Sequence, residues 1–205
     1  MDINAVINDT LKVLRDGGVI LYPTDTVWGI GCDATNEKAV ARVFEIKRRA
    51  GAKSLVLLAS DLDMVAKHVR EIPSIAIDLV EVNDAPMTII YPGAQYLAPN
   101  AVAEDGTVGI RIPFVEQGPD PRIRPEVKDG ATFCREITRR LRKPLVSTSA
   151  NISGEPTPSG FREISDEIKK AVDYIVPAAL EQGASGRASQ IIKIGLGGEV
   201  EIIRA

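Results

Sequence analysis

The chain has 205 residues, 44% hydrophobic and 26% charged, which suits one globular domain with a sizeable core. With 25 Lys and Arg against 28 Asp and Glu, its net charge of −3 excludes a protein coated in positive charge but leaves room for a local basic patch. No apolar run approaches the roughly 20 residues that span a bilayer, and a single histidine excludes a His-rich metal site.

Ile3, Val6, Ile7, Leu11 and Leu14 recur at helical spacing, and Gly17-Gly18 stop that helix. An apolar strand at 19–22 ends at Pro23, where two hydroxyls, a carboxylate and the only tryptophan follow (Thr24-Asp25-Thr26-Val27-Trp28). Polar side chains that begin where a strand stops are how an α/β protein presents a small-molecule site. Asn36 is placed to cap a helix carrying Ala39, Val40, Val43, Phe44 and Ile46 on one face. The run at 54–59 predicts a buried strand. Asp61 caps the next helix, whose Ala66-Lys67-His68-Val69-Arg70 stretch reads as a solvated face.

Residues 75–82 read as helix, 87–91 as strand and 107–112 as an alternating strand. An amphipathic, arginine-rich helix at 132–141 precedes a strand at 145–147, and a further helix covers 163–172. Strands at 191–194 and 199–203, joined by Gly195-Leu196-Gly197-Gly198, close as a hairpin. Interleaved strands and helices with a terminal hairpin predict an α/β chain with a mixed sheet. The Pro- and charge-rich stretch 113–130 is the one long loop, a candidate lid. Cys32 and Cys134 lack metal-type spacing and read as reduced thiols of a cytosolic protein, with no secretory signal at the N-terminus.

Three further groups carry chemistry. Lys47-Arg48-Arg49 and Lys53 cluster cations at a helix end before a strand, a pattern that holds polyphosphate or simply complements the helix dipole. After the strand at 145–147, Ser147-Thr148-Ser149-Ala150-Asn151-Ile152-Ser153-Gly154 offers hydroxyls and an amide to a nucleotide, or to its own backbone. Arg111 lies on the strand face opposite Ile110 and Ile112, where it requires a counter-ion, from the protein or from a ligand.

Taken together, YPTDTVWGIG at 22–31, FEIKRRAGAKSL at 44–55, VGIRIP at 108–113, PLVSTSANISG at 144–154 and IIRA at 202–205 resemble the YrdC-type threonylcarbamoyl-AMP synthase family over nearly the whole chain. The resemblance implies a single domain, 1–205, with a twisted mixed β-sheet flanked by helices around a central ligand cleft. It implies a cytoplasmic nucleotidyltransferase that makes L-threonylcarbamoyl-adenylate from L-threonine, bicarbonate and ATP, with Mg²⁺ as companion ion and release of pyrophosphate. Downstream tRNA-modification proteins would then use the product on tRNA. By position, Thr24, Thr26, Arg111, Asn151 and Ser189 would contact threonine, with Asp25 shaping the polar wall. Lys47, Arg49 and Lys53 would bind the ATP phosphates, and Ser149, Asn151 and Arg204 the nucleotide.

The chain departs from the family pattern at Ser54, at Leu58 in place of a histidine, at Ala188 and Gln190 around Ser189, and at Trp28 in place of tyrosine. Two rival readings follow. In one, Arg135, Arg139, Arg140, Arg142 and Lys143 build a non-catalytic RNA-binding face. In the other, the chain is a YciO-like relative with another substrate.

Overall fold

The computed structural model describes residues 1–49, 55–115 and 125–205. Helix α1 (Ile3–Arg15) starts at Asp2, whose carboxylate accepts from the amides of Asn4 and Ala5. Its apolar stripe, Val6, Ile7, Leu11 and Leu14, is buried, as the spacing predicts. Strands β1 (Ile20–Tyr22) and β2 (Gly29–Gly31) then form an antiparallel pair. The sequence gives no strand signal at β2, because two glycines lower β-propensity. Close packing demands them: a Cβ on Gly31 would lie 2.0 Å from the carbonyl oxygen of Val146.

Helix α2 (Glu37–Ile46) is capped by Asn36, and α3 (Leu62–His68) by Asp61, both as expected. Met64, Val65 and His68 share the inner side of α3. His68 is therefore buried, which corrects the solvated face read from its polar neighbours. Between these helices runs β3 (Val56–Leu58); α4 (Ser74–Val82), β4 (Met87–Tyr91) and β5 (Val108–Arg111) follow. Helix α5 (Gly130–Leu141) opens with a reciprocal capping box between Asp129 and Thr132. Strand β6 (Leu145–Ser149) runs two residues beyond the expected 145–147, further into the hydroxyl series. The helix expected at 163–172 is the shorter α6 (Asp166–Ala171), followed by the two-residue β7 (Tyr174–Ile175). The closing hairpin is β8 (Gln190–Ile194) with β9 (Val200–Arg204).

The nine strands form one mixed sheet in the order β7-β1-β2-β6-β3-β5-β4-β8-β9. The pairs β1/β7, β3/β5 and β4/β8 are parallel and the rest antiparallel. One face packs on α2, α3, α4 and α6 through Leu21, Ile30, Leu57, Val146, Ile110 and Ile89. The other face is covered only in part: α1 and α5 pack on Ile20, Tyr22, Leu58 and Leu145. Beyond the reach of those helices, the same face carries Gly29, Val56, Ser147, Ser149, Arg111 and Ile191, which line an open hollow.

Candidate active site

The hollow has a volume of about 300 Å³ and is walled by the loop after β1, the end of β6 and the terminal hairpin. Among the described residues its lining holds three arginines (Arg49, Arg111 and Arg204) and no acidic side chain. Hydroxyls of Thr26, Ser147, Thr148, Ser149, Thr157 and Ser189 supply the remaining polar groups. A second hollow of about 400 Å³, lined by Met87, Ile89, Ile110 and Ile112 from the opposite sheet face, contains none of the site residues expected from the sequence.

Loop 23–28 is held by its own hydroxyls. Thr24 Oγ1 donates to the carbonyl of Val27 at 2.8 Å and accepts from the amide of Thr26 at 3.0 Å, and it lies 2.9 Å from Thr26 Oγ1. Thr24 therefore shapes the turn while Thr26 reaches the hollow. The N-terminus of α5 buttresses this turn from behind. A Cβ on Gly130 would come within 2.6 Å of the carbonyl oxygen of Thr24, and the Cys134 thiol donates to the carbonyl of Pro23. Trp28 packs tilted against Phe161 with ring centroids 5.0 Å apart.

Arg111 finds a protein counter-ion. Its guanidinium forms an ion pair with Asp25, and both side chains are almost wholly buried, at 4% and 6% exposure. Its second nitrogen donates to Thr26 Oγ1 at 3.4 Å, and the amide of Phe114 donates to the other Asp25 oxygen. Arg111 thus offers a substrate anion directional N–H donors, while Asp25 already balances its charge. Across the ladder, Arg111 is in register with Thr88, whose hydroxyl lies 2.8 Å from that of Ser189. Arg204 donates twice to the carbonyl of Ser189, so the terminal hairpin is tied to the same wall.

Lys47 lies outside the lining. It is 3% exposed. Its ammonium donates to the carbonyls of Ser149 and Asn151, at 2.5 and 2.8 Å, and to Asn151 Oδ1 at 3.3 Å. Burial, with Arg49 nearby, lowers its pKa to about 8. It fastens the Ser149–Asn151 turn from behind rather than facing the hollow. Asn151 likewise turns inward, donating to the carbonyls of Ile152 and Glu155. Ser149 does line the hollow. Lys53, the remaining cation of the basic group, lies outside the described residues, as does half of the candidate lid, 116–124.

The structure therefore brings Thr26, Arg49, Arg111, Ser149, Ser189 and Arg204 to one hollow and sets Thr24, Lys47 and Asn151 in its supporting shell. The sequence reading did not single out Val56, Thr157 or Ile191 as lining. The alternation that selected Arg111 also selects Val56, two residue pairs along the β3/β5 ladder and so on the same face. Among the departures from the family pattern, Leu58 is packed beneath α5 and Gln190 is exposed opposite Met87, so neither lines the hollow. Both cysteines are buried, which pushes their thiols up in pKa and away from nucleophilic chemistry.

Comparison with known proteins agrees with this geometry. The model of the Sua5/YciO/YrdC family, described as telomere recombination, matches residues 12–116 and 130–205. A threonylcarbamoyl-AMP synthase of Coxiella burnetii (strain RSA 331 / Henzerling II) is 31% identical over 156 residues, 76% of this chain and 75% of that protein. The threonylcarbamoyl-AMP synthase of Stenotrophomonas maltophilia (strain K279a) is 31% identical over 173 residues, 83% of this chain and 84% of that protein. In structure, P. abyssi Sua5 complexed with L-threonine matches with a TM-score of 0.75 at 23% identity; the match covers 92% of this chain and 50% of that one. E. coli YciO matches with a TM-score of 0.72 at 22% identity, covering 98% of this chain and 88% of that one. These two structures carry the fold alone, and the chain spans half the length of the P. abyssi protein. A half-covered mixed sheet, a threonine-rich turn after its first strand and a family match across both halves of the chain lead to one conclusion: the chain belongs to the Sua5/YciO/YrdC family.

Proposed function

We propose that the chain is a nucleotidyltransferase that makes L-threonylcarbamoyl-adenylate from L-threonine, bicarbonate and ATP, releasing pyrophosphate. The observation that carries this reading is the hollow whose described lining holds three arginines and six hydroxyl side chains, in a chain 31% identical to threonylcarbamoyl-AMP synthases. Anionic substrates that repel each other in water need such a lining. Thr26, Ser189 and the Arg111 N–H groups take the amino acid. Arg49, Arg204 and Lys53 take the triphosphate, and Ser149 the nucleotide. Lys47 and Asn151 hold the wall that carries Ser149.

In the reaction, the threonine amine and bicarbonate combine to a carbamate with loss of water. A carbamate oxygen then forms a bond to the α-phosphorus while the bond to the β-phosphate oxygen breaks, and pyrophosphate leaves. The protein contributes positioning and charge balance, with no covalent intermediate. Both cysteines and the single histidine are buried outside the lining. No group of three or more His, Cys, Asp or Glu side chains able to hold a metal occurs among the described residues. Mg²⁺, in this reading, enters with the triphosphate as part of the substrate, as is usual for a hard cation that keeps most of its waters.

The test is pyrophosphate release from ATP by the purified protein, with threonine and bicarbonate each omitted in turn. Release that depends on both supports the reading, and release indifferent to threonine rejects it in favour of the YciO-like alternative. The RNA-binding alternative is weakened by the ion pairs within its proposed face. Arg139 and Arg140 both bond Glu136, and Lys143 bonds Asp33.

A further inference from the structure

The second hollow, of about 400 Å³, lies outside the carboxyl ends of the parallel pair β3 and β5, the place where open α/β sheets bind small molecules. Strand β5 separates it from the first: Arg111 faces one and Ile110 the other. Its floor is apolar, formed by Leu62, Val80, Met87, Ile89, Ile110 and Ile112, with the rings of Tyr91 and Phe114 beside them. The polar groups of the lining are of two kinds. Asp61 and Asn83 are committed within the protein. Asp61 accepts from the Met64 amide at 2.8 Å and from the Ser60 hydroxyl at 2.7 Å, and Asn83 exchanges hydrogen bonds with the backbone of Ala85. Arg135 and Glu81 are not. Arg135 Nε donates to the carbonyl of Ser60 at 3.1 Å, which orients the guanidinium, and its terminal nitrogens donate to no described residue. Glu81 forms no ion pair among the described residues. Burial lowers the pKa of Arg135, so the guanidinium facing the hollow is partly stripped of water and gains from an anionic acceptor.

We infer that this hollow is a second amino-acid site, which takes a large apolar α-amino acid as the zwitterion: carboxylate on Arg135, ammonium on Glu81 and side chain on the floor between β4 and β5. Charge complementarity selects this occupant. A purely apolar ligand leaves a half-buried guanidinium without an acceptor. A simple amine leaves Arg135 unanswered, and a polyanion meets the carboxylates of Asp61 and Glu81. A ligand with one charge of each sign and an apolar body answers the cation, the anion and the floor together. Threonine, with one methyl and a hydroxyl, leaves most of that floor bare. Binding here is separate from the proposed reaction and is measured without turnover.

The probe is L-phenylalanine and the reporter is Met87. The chain has three methionines, Met1, Met64 and Met87, so methyl-labelled methionine gives three resonances in an NMR spectrum of the full chain. Met87→Leu assigns the one that lines the hollow. L-Phenylalanine is expected to shift the Met87 methyl saturably, as an aromatic ring settles beside the thioether, and L-threonine is expected to leave it in place. 3-Phenylpropanoate lacks the ammonium and 2-phenylethylamine lacks the carboxylate; each is expected to bind about tenfold more weakly than phenylalanine. Arg135→Gln is expected to weaken phenylalanine by the same factor and to erase its advantage over 2-phenylethylamine. A Met87 methyl that does not move with phenylalanine overturns the inference. Equal affinity of the wild-type chain for the three aromatic probes overturns it as well, because the hollow then reads apolar surface and neither charge.

Discussion

Lys47 illustrates how a side chain shapes a binding site without touching its contents. Its ammonium bridges two backbone carbonyls and the Asn151 side chain, and it stays in place only if the desolvation cost is offset by those contacts. Because burial disfavours its charge, its folded-state pKa lies near 8, below the free value of 10.5. Between those values the folded chain has lost the proton and the unfolded chain has not, so this group's cost to stability is relieved as pH rises. The charge that draws the two carbonyls together is lost in the same window. ATP affinity, measured by calorimetry, is therefore expected to fall as pH rises through about 8, and Lys47→Met is expected to bind more weakly with no such fall. A wild-type affinity that is flat across that window would remove Lys47 from the account. The buried Asp25–Arg111 pair makes a second prediction. Asp25→Asn leaves a buried guanidinium uncompensated, and a loss of about 3–5 kcal/mol is expected from urea unfolding. The double change Asp25→Leu with Arg111→Met is expected to cost less than the sum of the single changes. Additive losses would mean that the two groups do not act as a pair.

At the scale of elements, the site depends on where α5 begins. Asp129 and Thr132 cap each other, which fixes the first turn of α5. That turn abuts the backbone of Thr24 so closely that only glycine fits at position 130. Gly130→Ala is expected to push loop 23–26 toward the hollow, at a stability cost of about 1–3 kcal/mol. Its clearest signature is a raised KM for threonine with the KM for ATP much less affected. An unchanged threonine KM would show that the turn does not depend on this buttress. Strand β2 makes the complementary point. Its Gly-Ile-Gly sequence has poor strand propensity, and it becomes a strand because β1 and β6 lie on either side with backbone groups to satisfy. Strand β6 reaches Ser149 for the same reason: Gly29 and Ile30 pair with Ser149 and Thr148, so the ladder carries the hydroxyl series onto the sheet.

For the whole molecule, the distribution of charge matters more than its total. A net charge of −3 coexists with an arginine-lined hollow, while several cations elsewhere are paired, among them Arg42 with Asp173, Arg48 with Glu167, and Lys143 with Asp33. RNA binding by the bare chain is therefore expected to be weak, with a salt slope corresponding to only about one or two phosphate contacts. A steep slope in a filter-binding titration would restore the basic face on α5 as a functional surface. No helix among the described residues is long and apolar enough to cross a membrane. The sequence by itself determined the helices with strong apolar periodicity and good caps, the strands made of continuous apolar runs, the α/β class, and the motifs that mark the family. Each of these is written in local residue order, where spacing and capping act over one or two turns. Tertiary structure alone decided which motif residues face the hollow. It turned Lys47 and Asn151 inward, gave Arg111 a partner 86 positions away in Asp25, buried His68, and left β9 as an open edge. Those outcomes depend on which strands become neighbours and how far the helices reach across the sheet. Long-range packing sets both, and spacing along the chain does not encode them.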